Sequence, residues 1–188
     1  MITRKIFPFI VSVFMVLSFS SSAQAEFFSI SAGVPVAHSL SNKELKTDGV
    51  SGYLAHFKLP IMIGLGMEAY ETKIDYSATS TTVTDMKLTT NMYDIFWLTP
   101  IPIINFTIGA GAGTAELSCS ITGGAKCSDS YDKGTVTQLW GQLGFSPLPF
   151  IDLHASYHNV SGDLKGKAGN ADYGVGGVVY AVGASIIF

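Results

Sequence analysis

Alternation with a period of two residues, repeated eight times along the chain, constrains the fold more than any other feature. Phe28, Ile30, Ala32, Val34 and Val36 alternate with Ser29, Ser31, Gly33 and Pro35. Ile63, Leu65, Met67 and Ala69 alternate with Gly64, Gly66, Glu68 and Tyr70, and Ile104 to Ala112 alternates with Asn105, Thr107, Gly109 and Gly111. The same pattern runs through 53–59, 92–97, 138–145, 151–158 and 178–188. A strand sends successive side chains to opposite faces, so each segment has one greasy face and one small or polar face. No segment sustains a helical period. The pattern predicts an all-β chain of eight strands.

The connections fall into two kinds. Three are short and carry proline: Leu59-Pro60-Ile61, Thr99-Pro100-Ile101-Pro102 and Ser146-Pro147-Leu148-Pro149. Proline cannot donate to a strand ladder and belongs in such turns. Four are longer and polar, at 38–49, 75–85, 116–134 and 161–171. Tight turns at one end and long loops at the other are the layout of an eight-stranded antiparallel up-and-down transmembrane β-barrel, with short periplasmic turns and longer extracellular loops. In such a barrel the apolar face meets lipid and the other face lines the lumen. The lumen set is then His56, Lys58, Glu68, Asp94, Asp152, His154, Ser156 and His158, with glycines that make room for larger neighbours. Phe27, Phe28, Phe57, Phe96, Trp97, Phe145, Phe150 and Phe188 fall near the short-turn end, as an interfacial aromatic girdle does.

The first 25 residues read differently. Arg4 and Lys5 precede an apolar run from Ile6 to Phe19, and Ala23-Gln24-Ala25 closes the stretch. This is the layout of a secretory signal peptide, and the run is too short for a membrane helix. The domain boundaries are therefore 1–25 for the signal peptide and 26–188 for the barrel. After Ala25 the cations are all lysine, nine of them against 14 acidic residues. An acidic chain without arginine is poorly equipped for nucleic acid or phosphate. Only 13% of residues are charged, about half of what a soluble domain carries. Cys119 and Cys127, the two cysteines of an exported chain, predict one disulfide that stiffens the third long loop.

The final strand resembles the C-terminal assembly signal of Gram-negative outer-membrane barrels, in Gly183-Ala184-Ser185-Ile186-Ile187-Phe188. Gly183, Ile186 and the terminal aromatic Phe188 match its positions; Ala181 stands where a polar residue is common. With the leader and eight segments, residues 26–188 resemble the small eight-stranded outer-membrane proteins of the OmpA-domain, OmpX and OmpW type. The resemblance implies location in the outer membrane. It also implies contact with outer-membrane lipid and lipopolysaccharide, and dependence on the barrel-assembly machinery.

Three chemical readings of the lumen set compete. Asp152, His154 and Ser156 share one strand face, and His154-Ala155-Ser156 resembles the His-x-Ser pair of lipid A deacylases of the PagL type. No glutamate follows Glu116, however, and the alternation points both residues inward, away from lipid. His56, His154 and His158 could converge on a metal with Glu68 or Asp94 nearby, although spacing does not say whether their heights match. The simplest reading is a polar network of mutually paired groups, such as Lys58 with Glu68 or Asp94. Gly109-Ala110-Gly111-Ala112-Gly113 lacks the following helix and Lys-Ser/Thr pair of a phosphate loop, and reads as a small-residue strand face. The expectation is a non-catalytic barrel with no metal and no cofactor, acting structurally or through an extracellular ligand at its loops, with Cys119–Cys127 the best contact loop. A narrow OmpW-like channel for small or hydrophobic solutes is the alternative, and a lipid A-modifying hydrolase the third.

Overall fold

The computed structural model describes residues 28–42, 45–75, 83–99, 104–121, 123–148, 150–167 and 169–188. The predicted signal peptide, Phe27, Pro100 to Pro102 and Pro149 lie outside the described residues. The strands are β1 (Ser29–Leu40), β2 (Lys46–Lys58), β3 (Ile63–Asp75), β4 (Val83–Thr99), β5 (Ile104–Ile121), β6 (Gly134–Leu148), β7 (Ile151–Leu164), β8 (Tyr173–Gly174) and β9 (Gly177–Ile187). A single helical turn, α1 (Cys127–Ser130), lies between β5 and β6.

Each strand from β1 to β7 pairs antiparallel with the next, β7 pairs with β9, and β9 pairs with β1. The sheet therefore closes into an eight-stranded barrel. The two-residue β8 is additional: it extends the loop end by pairing with Asp163 and Leu164 of β7. Closure removes every sheet edge, which is what a sheet in hydrocarbon requires. The first and last strands meet register for register, Ser29 opposite Ile187 and Gly33 opposite Gly183.

The lower part of every long strand follows the predicted alternation. Ile30, Leu65, Ile95, Ile108, Leu143 and Ile186 are all exposed on the outer face. From Ile104 to Ala112, eight steps of about 3.3 Å at a tilt of about 40° give about 20 Å, approaching the ~25 Å apolar band of membrane barrels. Phe28, Phe57, Trp97, Phe145, Phe150 and Phe188 stand exposed at the turn end, and Phe28 stacks on Phe57 at 5.8 Å.

Three expectations need correction. Phe96 is not in the girdle; it is buried inside the barrel, packed against Trp140 at 5.7 Å. Its own alternation with Ile95 and Trp97 demands that position. The loops are also shorter than predicted, because β4 starts at Val83, β5 runs to Ile121 and β7 to Leu164. Finally, the interior is polar only in its lower part. Above the belt the phase inverts: Glu71, Lys87, Thr114 and Glu116 face outward, while Ile74, Leu88, Met92, Leu117, Val136, Val160, Leu164, Val175 and Val179 fill the inside. Toward the loop end an apolar core replaces the apolar surface, as suits a barrel that passes from an apolar to an aqueous surrounding.

The loop end is tied together. The Cys119–Cys127 disulfide, Cα–Cα 5.2 Å, joins the end of β5 to α1, and both cysteines are buried in the apolar core. Lys167 Nζ donates to Ser128 O at 2.8 Å and pairs with Asp132 at 2.9 Å, clamping the β7–β9 connection onto the β5–β6 connection. Tyr131 and Tyr173 pack ring to ring at 5.5 Å across the same seam.

Candidate functional site

All eight predicted lumen residues are buried inside the barrel, and they sort into two tiers. At the turn end, Asp152 on β7 accepts from Asn105 Nδ2 at 2.7 Å and from Ser146 Oγ at 3.2 Å. His154 lies 3.6 Å from the other Asp152 oxygen, with Ser31 and Ser185 hydroxyls 3.3 and 3.4 Å from its two ring nitrogens. Lys58, at the end of β2, lines a cavity of about 20 Å³ with Ser29, Ser31 and His56. That is room for about one water.

Above it lies the plug. Trp140 of β6 is sandwiched between His56 and His158, with ring centroids 5.1 and 5.4 Å away, and Phe96 leans on its edge. The plug exists because glycines stand beside it. A Cβ on Gly109 would collide with the Trp140 indole, one on Gly64 with the Phe96 ring, and one on Gly66 with His56. Large residues on one strand thus occupy space left by bare backbone on the next. Beside Gly109, Gly64 and Gly66, the space is taken by the Trp140, Phe96 and His56 rings.

One hydrogen-bond chain orders the upper tier. Gln138 Nε2 donates to Asp94 Oδ1 at 2.6 Å, so the Gln138 carbonyl faces His158 Nδ1 at 3.3 Å. That nitrogen must then carry the proton, and Nε2 accepts from the Ser156 hydroxyl at 2.8 Å. Glu68 on β3 sits between two histidines, 3.6 Å from His56 Nε2 and 3.2 Å from His158 Nδ1.

The structure therefore joins some predicted partners and separates others. His154 meets Asp152, but Ser156 goes to His158 instead, so Asp152, His154 and Ser156 form no relay. His56 and His158 converge on Glu68, while His154 lies in the tier below. Glu68 faces two histidines, and Asp94 accepts from a glutamine. Gln138 and Trp140 were legible as inward-phase residues of the sixth segment, yet the alternation gave no sign that they centre the network. His38 is also an interior residue, 2.7 Å from Thr72 Oγ1. A register shift between Pro35 and Ala37 turns it inward, and nothing in the alternation announced it.

The comparisons with known proteins bear on this geometry. The Neisserial surface protein A structure superposes with a TM-score of 0.63 at 18% identity, covering 87% of this chain and 97% of that one. The chain has the fold of eight-stranded outer-membrane barrels. Ail, the attachment invasion locus protein of Yersinia pestis, gives 0.53 at 17% identity, covering 86% of this chain and 97% of its own. Outer Membrane Protein W of E. coli gives 0.54 at 11% identity over the same shares. No protein-family model matches the sequence, and no curated protein matches it. The barrel fold is thus shared at the level of backbone.

Proposed function

We propose that the chain is a closed barrel of the Gram-negative outer membrane that acts through its loop end, without catalysis and without a solute path. Its partners are outer-membrane lipid and lipopolysaccharide at the belt, the barrel-assembly machinery during biogenesis, and an extracellular ligand at the loops. The filled lumen carries this reading. Trp140, Phe96, His56 and His158 close the middle, and the apolar core from Leu88 to Val179 closes the space above. With the inside packed to that degree, the surface that remains for recognition is the rim, where the disulfide and the Lys167 clamp hold the connections in one shape. Recognition by a preorganised rim loses less conformational entropy than recognition by free loops. Four rim lysines are locally balanced: Lys87 pairs with Glu71, Lys133 with Glu116, Lys165 with Asp172 and Lys167 with Asp132. Such a surface favours a ligand of mixed polarity over a polyanion. Ail has been solved with the heparin analogue sucrose octasulfate, and the shared fold carries no such ligand over to this rim.

Purified protein in planar lipid bilayers is expected to show no steady single-channel current, and discrete conductance steps would sink the closed-barrel reading. Replacing 123–131 by a short Gly-Ser turn is expected to reduce surface attachment of expressing cells while the barrel stays folded; unchanged attachment would refute the rim as the working surface. Lipid A from cells overproducing the wild type is expected to match that from cells producing Ser156→Ala. A deacylated species confined to the wild type would reinstate a hydrolase.

A further inference from the structure

Buried ligand atoms from three consecutive strands converge in the upper tier. One ligand atom each of His56 on β2, Glu68 on β3 and Asp94 on β4 lies within 4.8 Å of the others. Their residues are 7%, 1% and 4% exposed, and His56 Nε2, Glu68 Oε1 and Asp94 Oδ2 make no hydrogen bond. His158 Nδ1, although 3.2 Å from Glu68 Oε1, is committed to Gln138. Buried polar atoms are nearly always satisfied, and one such orphan calls for an explanation. Three that converge call for a shared one.

We propose that the lumen binds a divalent transition-metal ion, with Zn²⁺ the best match, through His56 Nε2, Glu68 Oε1 and Asp94 Oδ2. One imidazole nitrogen and two carboxylate oxygens are a donor set that Zn²⁺ accepts in tetrahedral sites. Ligands about 2.1 Å from such an ion stand about 3.4 Å apart. The 3.6 Å between His56 Nε2 and Glu68 Oε1 already matches that spacing. Charge argues the same way. Glu68 and Asp94 bring two negative charges to a tier whose other members, His56, Gln138, Trp140 and His158, carry none while the imidazoles are neutral. A divalent ion balances both carboxylates. A lone water could donate to them but would leave the charges uncompensated.

The surroundings are those of a held ligand set. Gln138 fixes Asp94 by Oδ1, which leaves Oδ2 without a hydrogen bond, and the Gln138–His158–Ser156 chain fixes Gln138 in turn. Outer hydrogen bonds of this kind orient metal-binding carboxylates. The 20 Å³ cavity borders His56 from the turn end, with room for about one water beside that ligand. The ion would tie β2, β3 and β4 together across the lumen.

Protein refolded in detergent with zinc chloride and then dialysed against metal-free buffer tests this by elemental analysis. Wild type is expected to retain about one Zn²⁺ per chain. His154→Ala, altered in the tier below, is expected to retain the same. Glu68→Gln and Asp94→Asn, judged folded by heat-dependent gel mobility, are expected to retain less than about a tenth of it, and Gln138→Leu to bind about 10–100-fold more weakly. Folded wild type without retained zinc, or folded Glu68→Gln that keeps as much as wild type, overturns the proposal. If the carboxylate variants fail to fold, wild type refolded with Co²⁺ decides. Visible d–d absorption of a low-symmetry tetrahedral site upholds the proposal, and a spectrum of hydrated Co²⁺ overturns it.

Discussion

At the scale of single residues, the lumen is a set of size exchanges between neighbouring strands. Trp140 is large where Gly109 is bare, and His154 is large where Gly183 is bare. Trp140→Ala is expected to cost about 3–5 kcal/mol in denaturant unfolding in detergent. It should still yield no steady conductance, since Leu88, Met92 and Val136 close the barrel above it. Gly109→Ala drives a methyl into the indole and is expected to cost about 1–3 kcal/mol. Combined with Trp140→Ala, that penalty should largely vanish, because the colliding ring is gone; additive costs in the double-mutant cycle would refute the exchange. At the rim, Asp172 accepts hydrogen bonds first from Lys165 Nζ and then from the Gly166 N–H, which hold its carboxyl below the ordinary carboxylate range. The pair's contribution is therefore complete above the ordinary carboxylate pKa and fades as pH falls through the lowered value. In an NMR titration, Lys165→Met should move the Asp172 midpoint up toward the ordinary value, and an unmoved midpoint would contradict the pairing.

At the scale of elements, the sequence shows which side chains face in but not at what height they stand. Glu68, His56 and Asp94 were identifiable as inward residues from Ile63-Gly64-Leu65 and its neighbours. Their convergence follows from register, in which His56 pairs across to Gly66 and Gly66 to Asp94. Register is set by long-range pairing, which local alternation does not encode. The strand extensions were hidden for another reason. In β5 the outward phase reads Ile108, Ala110, Ala112, then Thr114 and Glu116, while the inward phase turns apolar at Ala115 and Leu117. An alternation that reverses its phase averages out across the join and looks like a polar loop. The disulfide belongs to this scale too. Reduction, or Cys119→Ser with Cys127→Ser, is expected to cost about 2–3 kcal/mol in the chain-entropy model while leaving the barrel folded. Limited proteolysis should then cut within 123–131; resistance equal to the oxidised protein would show that the Lys167 clamp suffices alone.

At the scale of the whole molecule, the belt and the rim make opposite demands on one strand. Ile108→Lys sits mid-belt on the lipid face and is expected to cost about 2–4 kcal/mol. Thr114→Lys, on the same face of the same strand but above the belt, is expected to cost about 0–1 kcal/mol. Equal costs would mean that the belt has been placed at the wrong height. The protein as a whole should need detergent for solubility and should migrate differently on gels before and after heating. The reversal of phase thus acts as a waterline drawn around the molecule. Because it is written independently into each strand, the barrel's draught in the bilayer does not depend on the loops. Moving the line by two residues on every strand would raise or sink the rim by about 5 Å. Moving it on one side alone would make the barrel list, presenting the same rim to the outside at a different angle.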